Sequence, residues 1–213
     1  MFSRILLPLD GSRLAESAIP HAELFARIFG ASIVLLQVLE PTSYHENPQA
    51  VDPLSWQIRK ADADMYLQGI ERRIRTSLGA TGQVTYALRE GKAAENIVDV
   101  AHAESIDLLI ISTHGSGGLS RWNISSVTQK VIDLIFLPVL VVRAYDQCGS
   151  HERVERYRRI LLPIDSSRRA ECSLSAGTEL ARGEATASEA STVVGNETRL
   201  IAVSYTHLTL PTN

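Results

Sequence analysis

From Ile111 to Val131 the chain reads ISTHGSGGLSRWNISSVTQKV. The residues able to do chemistry are three glycines (Gly115, Gly117, Gly118), His114, and a Ser125–Ser126 pair ten residues after the first glycine. Glycine, lacking Cβ, admits positive φ and a close approach of backbone to ligand. Consecutive N–H groups of such a loop can converge on an anion. A helix opening at the serine pair would add its unpaired amides, the positive end of its dipole and N-cap hydroxyls. The chemistry implied is the holding of a phosphate, with His114 close enough in sequence to touch it. This is neither the dinucleotide fingerprint, which would follow the first strand, nor a Walker A loop, which needs Gly-Lys-Ser/Thr. Taken alone, the three glycines describe a structural turn better than a ligand site, and His114 reads equally well as a solvent-facing loop residue.

Such a loop is useful only if rigid elements aim it. RILLPLD (4–10) is a short apolar run ending at Asp10, the pattern of a strand buried on both faces. A helix follows through Phe29 with Gly30 as its stop, then a second apolar strand over 31–40. The polar, proline-bearing 40–53 reads as a loop. Tyr66, Ile70, Ile74 and Leu78 recur every four residues, marking an amphipathic helix closed by Gly79. QVTYALREG and IDLLIIST supply two more strands around the helix AAENIVDVAHAES, and SSVTQKVIDLIF leads as a helix into PVLVVR, a fifth strand at 138–143. Strands alternating with helices predict a parallel sheet covered by helices on both faces. Ligands of such sheets lie at the carboxyl ends of the strands, where strand order reverses. Asp10, Val38 and the loop after Thr113 all fall at such ends.

Composition narrows the classes. The chain has 213 residues, 45% hydrophobic and 21% charged, with a net charge of −3, ordinary for a globular protein. The mild acidity gives no basic face for nucleic acid. Cys148 and Cys172 form no disulfide framework and read as free thiols of a reducing compartment. The start MFSRILLPLDGS is too short in its apolar run for a signal peptide, and no stretch approaches the ~20 apolar residues of a membrane span. The expectation is a soluble, cytoplasmic protein. The six histidines lack metal-ligand spacing. Asn123-Ile124-Ser125 fits a glycosylation sequon, which a cytoplasmic chain would not use. The charges Glu71, Arg72, Arg73 and Arg75 read as a solvated helix face.

The chain also repeats itself. RILLPLDGSRLAESAI (4–19) returns as RILLPIDSSRRAECSL (159–174), with ten of sixteen positions identical. The expected organisation is a complete domain at 1–145, a linker at 146–158, and an incomplete second copy at 159–202. The second copy would hold a strand, a helix to about Arg182 and a further strand in RLIAV. GEATASEASTVVGNET is low in complexity and expected to be disordered. VSYTHLTLPT can be reverse-translated into a common sequencing-library transposon adapter, so residues 203–213 are expected to be non-native.

Over residues 1–143 the chain resembles the universal stress protein family. The resemblance is carried by ILLPLDGS, REG with AAENIV, the THG-SGGLSRW loop, and SVTQKV followed by LPVLVVR. It implies a five-stranded parallel α/β sheet of nucleotide-binding type, a Rossmann-like or flavodoxin-like three-layer α/β/α fold. It further implies dimerisation through the last strand, Pro138–Arg143, which in a tandem chain could instead pair with the second copy. The family divides into ATP-binding and non-binding branches by the motif Gly-x2-Gly-x9-Gly-Ser/Thr. Here the motif reads Ser112-x2-Gly115-x9-Ser125-Ser126. A serine at 125 is strained if that position needs positive φ, at a cost of about 1–3 kcal/mol. It serves as well as glycine if only a backbone N–H at a helix start is required. The resemblance implies nucleotide contacts at Pro8, Asp10, Val38, Ile111, Ser112, His114, Gly115, Gly118, Ser125, Ser126 and Val127. Asp10 would lie beside the ribose or adenine and Val38 would offer backbone atoms to the base. From the residues alone, Asp10 is also a sound N-cap for the first helix, and Val38 is core. The function implied is an ATP-binding stress-response or signalling module, with Mg²⁺ entering on the nucleotide. The alternative is a nucleotide-free interaction module on the same fold. Enzymatic turnover, at most a slow ATPase, is the weakest reading, because no residue offers itself as general base or arginine finger.

Overall fold

The computed structural model describes residues 1–41, 53–79, 82–114, 124–143, 154, 156–165, 167–183 and 199–204. The chain divides into two units, one spanning Phe2–Arg153 and the other joining Met1 to Val154–Asn213.

In the first unit, β1 (Arg4–Pro8), β2 (Ser32–Leu39), β3 (Val84–Glu90), β4 (Leu108–Ser112) and β5 (Val139–Val142) form one parallel sheet in the order β3-β2-β1-β4-β5. The predicted five-stranded parallel α/β sheet is the observed one. Ile5, Leu6 and Leu7 of β1 are fully buried although their side chains alternate in direction, which requires cover on both faces. On one face, Leu6, Val34, Leu36, Leu109 and Ile111 pack with Ile97 of α4 (Ala93–Ala103) and Val131 of α5 (Ser126–Leu134). The opposite-parity residues Ile5, Leu7, Ile33 and Leu35 are equally buried. That side carries α2 (Ile19–Phe29), packed on β1 and β2, and α3 (Pro53–Leu78), packed on β2 and β3.

Two helices differ from the sequence expectation. The first is broken into α1 (Arg13–Glu16) and α2. Pro20 is the cause: it has no N–H to give to the Glu16 carbonyl, and its ring crowds that oxygen. Pro20 instead sits in the first turn of α2, where a missing N–H costs nothing. The buried stripe of α3 is Ala63, Leu67, Ile70 and Ile74 rather than the stripe through Tyr66 and Leu78. Tyr66 therefore lies at the edge of the stripe.

The second unit holds β6 (Arg159–Ile164), α6 (Arg168–Arg182) and β7 (Arg199–Ser204), with β6 and β7 paired in parallel. Its first turn copies that of the first unit. Ser167 Oγ accepts from Ala170 N at 3.1 Å and Asp165 Oδ1 accepts from Ser167 N at 2.9 Å. The corresponding distances at Ser12–Ala15 and Asp10–Ser12 are 3.1 and 3.0 Å. The Ser167 hydroxyl and amide hold the Asp165 carboxyl below its usual range. The segments 144–153, 184–198 and 205–213 lie outside the described residues.

Candidate functional site

Strand order reverses between the parallel neighbours β1 and β4: from β1 the chain goes on to β2 on one side of the sheet, and from β4 to β5 on the other. A cleft of about 730 Å³ opens there, at the carboxyl ends of β1, β2 and β4, within the size range of small-molecule sites. Pro8 and Asp10 enter it from β1 and its following loop, and Val38 from β2. Ile111, Ser112 and His114 come from β4 and its end, and Ser125, Ser126 and Val127 from the start of α5. All nine described members of the expected contact set therefore share one cavity. The other two, Gly115 and Gly118, lie with Gly117 outside the described residues.

Asp10 is not the N-cap of the first helix. That place is held by Ser12, whose Oγ accepts from Ala15 N, while Asp10 Oδ1 accepts from Ser12 N at 3.0 Å. The aspartate thus steadies the loop from one side and remains exposed to the cleft.

Ser125 has φ −58° and ψ 150°, a conformation open to any residue, so serine at this motif position carries no left-handed strain. Its own polar groups, however, are turned inward. Ser125 N donates to the Thr113 carbonyl at 2.8 Å. Its Oγ accepts from Thr128 N at 3.1 Å and lies 2.8 Å from Thr128 Oγ1. Thr128 Oγ1 in turn donates to the Ser112 carbonyl at 3.0 Å. The expectation that Ser125 offers both hydroxyl and amide to an anion is corrected by these bonds. Ser125 is the clasp that fixes α5 against β4. The amides of Ser126 and Val127 fall in the first helical turn, where no intrahelical carbonyl is in reach. They and the exposed Ser126 hydroxyl form the donor-bearing end of the cleft.

Ser112 is buried, and its hydroxyl donates to the His114 carbonyl. His114 is also buried, with Nδ1 3.0 Å from Thr113 Oγ1. It lines the cleft as a packed residue and does not face open solvent.

The opposite end of the cleft is built by groups that sequence reasoning missed. Arg59, Asp62, Ala63 and Tyr66 of α3 line it, with Gln37 and Glu40 from β2 and just beyond. Tyr66 donates to Glu16 Oε1 at 3.1 Å, and Arg73 holds Glu16 Oε2 at 3.1 Å. Burial first, then the Glu16 carboxylate, pushes the Tyr66 phenol well above its usual value. Glu40 Oε1 accepts from Ala93 N at 2.8 Å, capping α4 from a distance. Asp10, Glu40, Asp62 and Gln37 make this end rich in acceptors, whereas the α5 end presents donors. One signal was available: Gln37 is the one polar residue between Ile33 and Leu39, in a strand otherwise apolar on both faces.

No cluster of three or more His, Cys, Asp or Glu able to hold a metal occurs among the described residues. A Mg²⁺ ion here would need phosphate oxygens and water as its main ligands, with at most one or two carboxylates, which is its usual habit. No helix among the described residues is long and apolar enough to cross a membrane.

Comparison with known proteins places the same region in a single group. The model of the universal stress protein family matches residues 1–143. Universal stress protein Sll1654 of Synechocystis sp. is 35% identical over 150 residues, covering 67% of this chain and 86% of that protein. Among solved structures, hypothetical protein MJ0577, from Methanocaldococcus jannaschii, is 26% identical with a TM-score of 0.57, covering 69% of this chain and 99% of its own. UspA from Lactobacillus plantarum is 25% identical with a TM-score of 0.59, covering 67% and 98%.

Proposed function

Because the chain belongs to the universal stress protein family, we propose that its cleft binds an adenine nucleotide, ATP with Mg²⁺, and that the protein acts as a nucleotide-dependent stress-response or signalling module. The observation that carries this reading is the convergence of Pro8, Asp10, Val38, Ile111, Ser112, His114 and the α5 start on one cavity at the switch point of the sheet. The polarity of that cavity supports it. The phosphates would meet the Ser126 and Val127 amides and the helix dipole. The nucleoside would meet the acceptor-rich end, with Asp10 beside the ribose and Val38 offering backbone to the base. Gly115 and Gly118 would complete the anion cradle from the adjoining loop. Action is by binding: the nucleotide stabilises the conformation or assembly that holds it best. The protein would work in the cytoplasm as a homodimer joined along Pro138–Arg143, or pair there with a full second copy. The domain reading goes with it: one unit at 1–145, a linker at 146–158, and the start of a second copy at 159.

A second reading has its own observation. Ser125 spends its hydroxyl and amide inside the fold, which suits a nucleotide-free interaction module. Calorimetric titration with Mg²⁺-ATP separates the two. Saturable binding of about one ATP per chain fits the first reading, and no heat up to millimolar ATP fits the second.

A further inference from the structure

Arg59, Asp62, Ala63 and Tyr66 follow the spacing i, i+3, i+4, i+7, so one face of α3 runs along the cleft. Tyr66 is the one Phe, Tyr or Trp among the described residues of the cleft wall, and it is half-buried, not sealed in the core. Its hydroxyl is tied down. It donates to Glu16 Oε1 at 3.1 Å, and Arg73 holds Glu16 Oε2 at 3.1 Å. The Glu16 side chain is only 12% exposed, so water competes little for this anchor. Burial first, then the Glu16 carboxylate, keeps the phenol protonated and able to donate. A ring fixed in this way loses little freedom when a ligand packs on it. One turn earlier on the same face, Ala63 is small and buried, leaving room beside the ring for a flat group. The apolar side chains of Leu9 and Ala15 also line the cleft. Core packing does not require a tyrosine here, since Ala63, Leu67, Ile70 and Ile74 already form the buried stripe of α3.

We infer that Tyr66 is a specificity-determining residue of this cleft: its ring is a wall of the base subsite that favours a purine over a pyrimidine, with Glu16 and Arg73 as the positioning residues that hold it. This rests on the nucleotide-binding reading above. A purine lays two fused rings against that wall and a pyrimidine one, so the purine buries more apolar area and stacks more strongly. Loss of such a stack weakens binding by about tenfold.

The test titrates the full chain and its Tyr66→Leu and Tyr66→Phe variants with Mg²⁺-ATP and Mg²⁺-UTP. The native chain should prefer ATP. Tyr66→Leu removes the aromatic face and should weaken ATP by about tenfold and UTP by about threefold at most, so that the preference shrinks. Tyr66→Phe keeps the ring and loses only its tether. It should weaken both nucleotides alike, by about threefold, and retain the preference. A native chain that binds ATP and UTP equally overturns the inference while leaving nucleotide binding intact, and so does an unchanged preference in Tyr66→Leu. Equal losses for the two nucleotides in Tyr66→Leu, with a lower melting temperature, mark Tyr66 as a latch between α1 and α3 and overturn it too. If Tyr66→Phe loses the preference as fully as Tyr66→Leu, the hydroxyl and not the ring selects the base, and the inference falls. If the native chain binds neither nucleotide, the functional reading fails and this inference fails with it.

Discussion

At the scale of single residues, Ser125 decides how the motif should be read. With ordinary backbone angles it needs no glycine, and its hydroxyl caps α5. Ser125→Ala should lower stability by about 1 kcal/mol in chemical denaturation, whereas Ser125→Gly should cost only a few tenths. ATP affinity should stay within about threefold in Ser125→Gly, because its N–H is already given to Thr113. His21 offers a second prediction. Burial lowers its pKa below 6.5, so near that pH the unfolded chain takes up a proton that the folded chain refuses. This stability contribution is complete above pH 6.5 and is lost as pH falls below it. Denaturation midpoints should drop as pH goes from about 7 to about 5.5, and His21→Gln should flatten that slope. At this scale the sequence yielded the motif positions and their common destination, since strand ends and a helix start can be located from pattern alone. It did not yield Gln37 or Tyr66. A glutamine in a strand has no motif, and Tyr66 was read into the buried stripe, at whose edge it lies, because i, i+4 spacing fits two adjacent stripes of α3.

Elements depend on fastenings that pattern does not reveal. Asp107 accepts from Ser3 N at 2.7 Å, Ser3 Oγ at 2.6 Å and Arg4 N at 3.0 Å, tying the entrance of β1 to that of β4. Those two strands flank the switch point, so their alignment sets the mouth of the cleft. Asp107→Ala should cost on the order of 1–3 kcal/mol in urea denaturation, and Asp107→Asn should recover part of the loss. The strands were legible because apolar runs of this length, each ended by a polar or turn residue, have few alternatives in a chain that alternates with helices. The break between α1 and α2 was not anticipated. Pro20 is compatible with the first turn of a helix as well as with its disruption, and only the carbonyl it would crowd, that of Glu16, distinguishes the two.

For the whole molecule, β5 is one edge of the five-stranded sheet, with β3 at the other. Val141 on it is 36% exposed, and Phe136 just before it is 94% exposed. An apolar edge strand of this kind recruits a partner strand. The native chain should scatter light as a dimer, and Val141→Lys should halve its mass; a native monomer would remove the edge from the account. The family assignment covers the first unit. The repeat was legible as sequence and has the same capping geometry at its start, but its later residues lie mostly outside the described ones, as do Gly115, Gly117 and Gly118.

The claim on which the rest depends is that the cleft holds an adenine nucleotide. The most direct measurement is to denature the purified chain, chromatograph what it releases, and titrate the emptied, refolded protein with Mg²⁺-ATP by calorimetry. Release of adenine nucleotide, or saturable binding near one per chain that is lost when Gly115 is replaced by a bulky residue, is the predicted result. A protein that releases nothing and takes up no ATP to millimolar concentration would contradict it and leave a nucleotide-free interaction module.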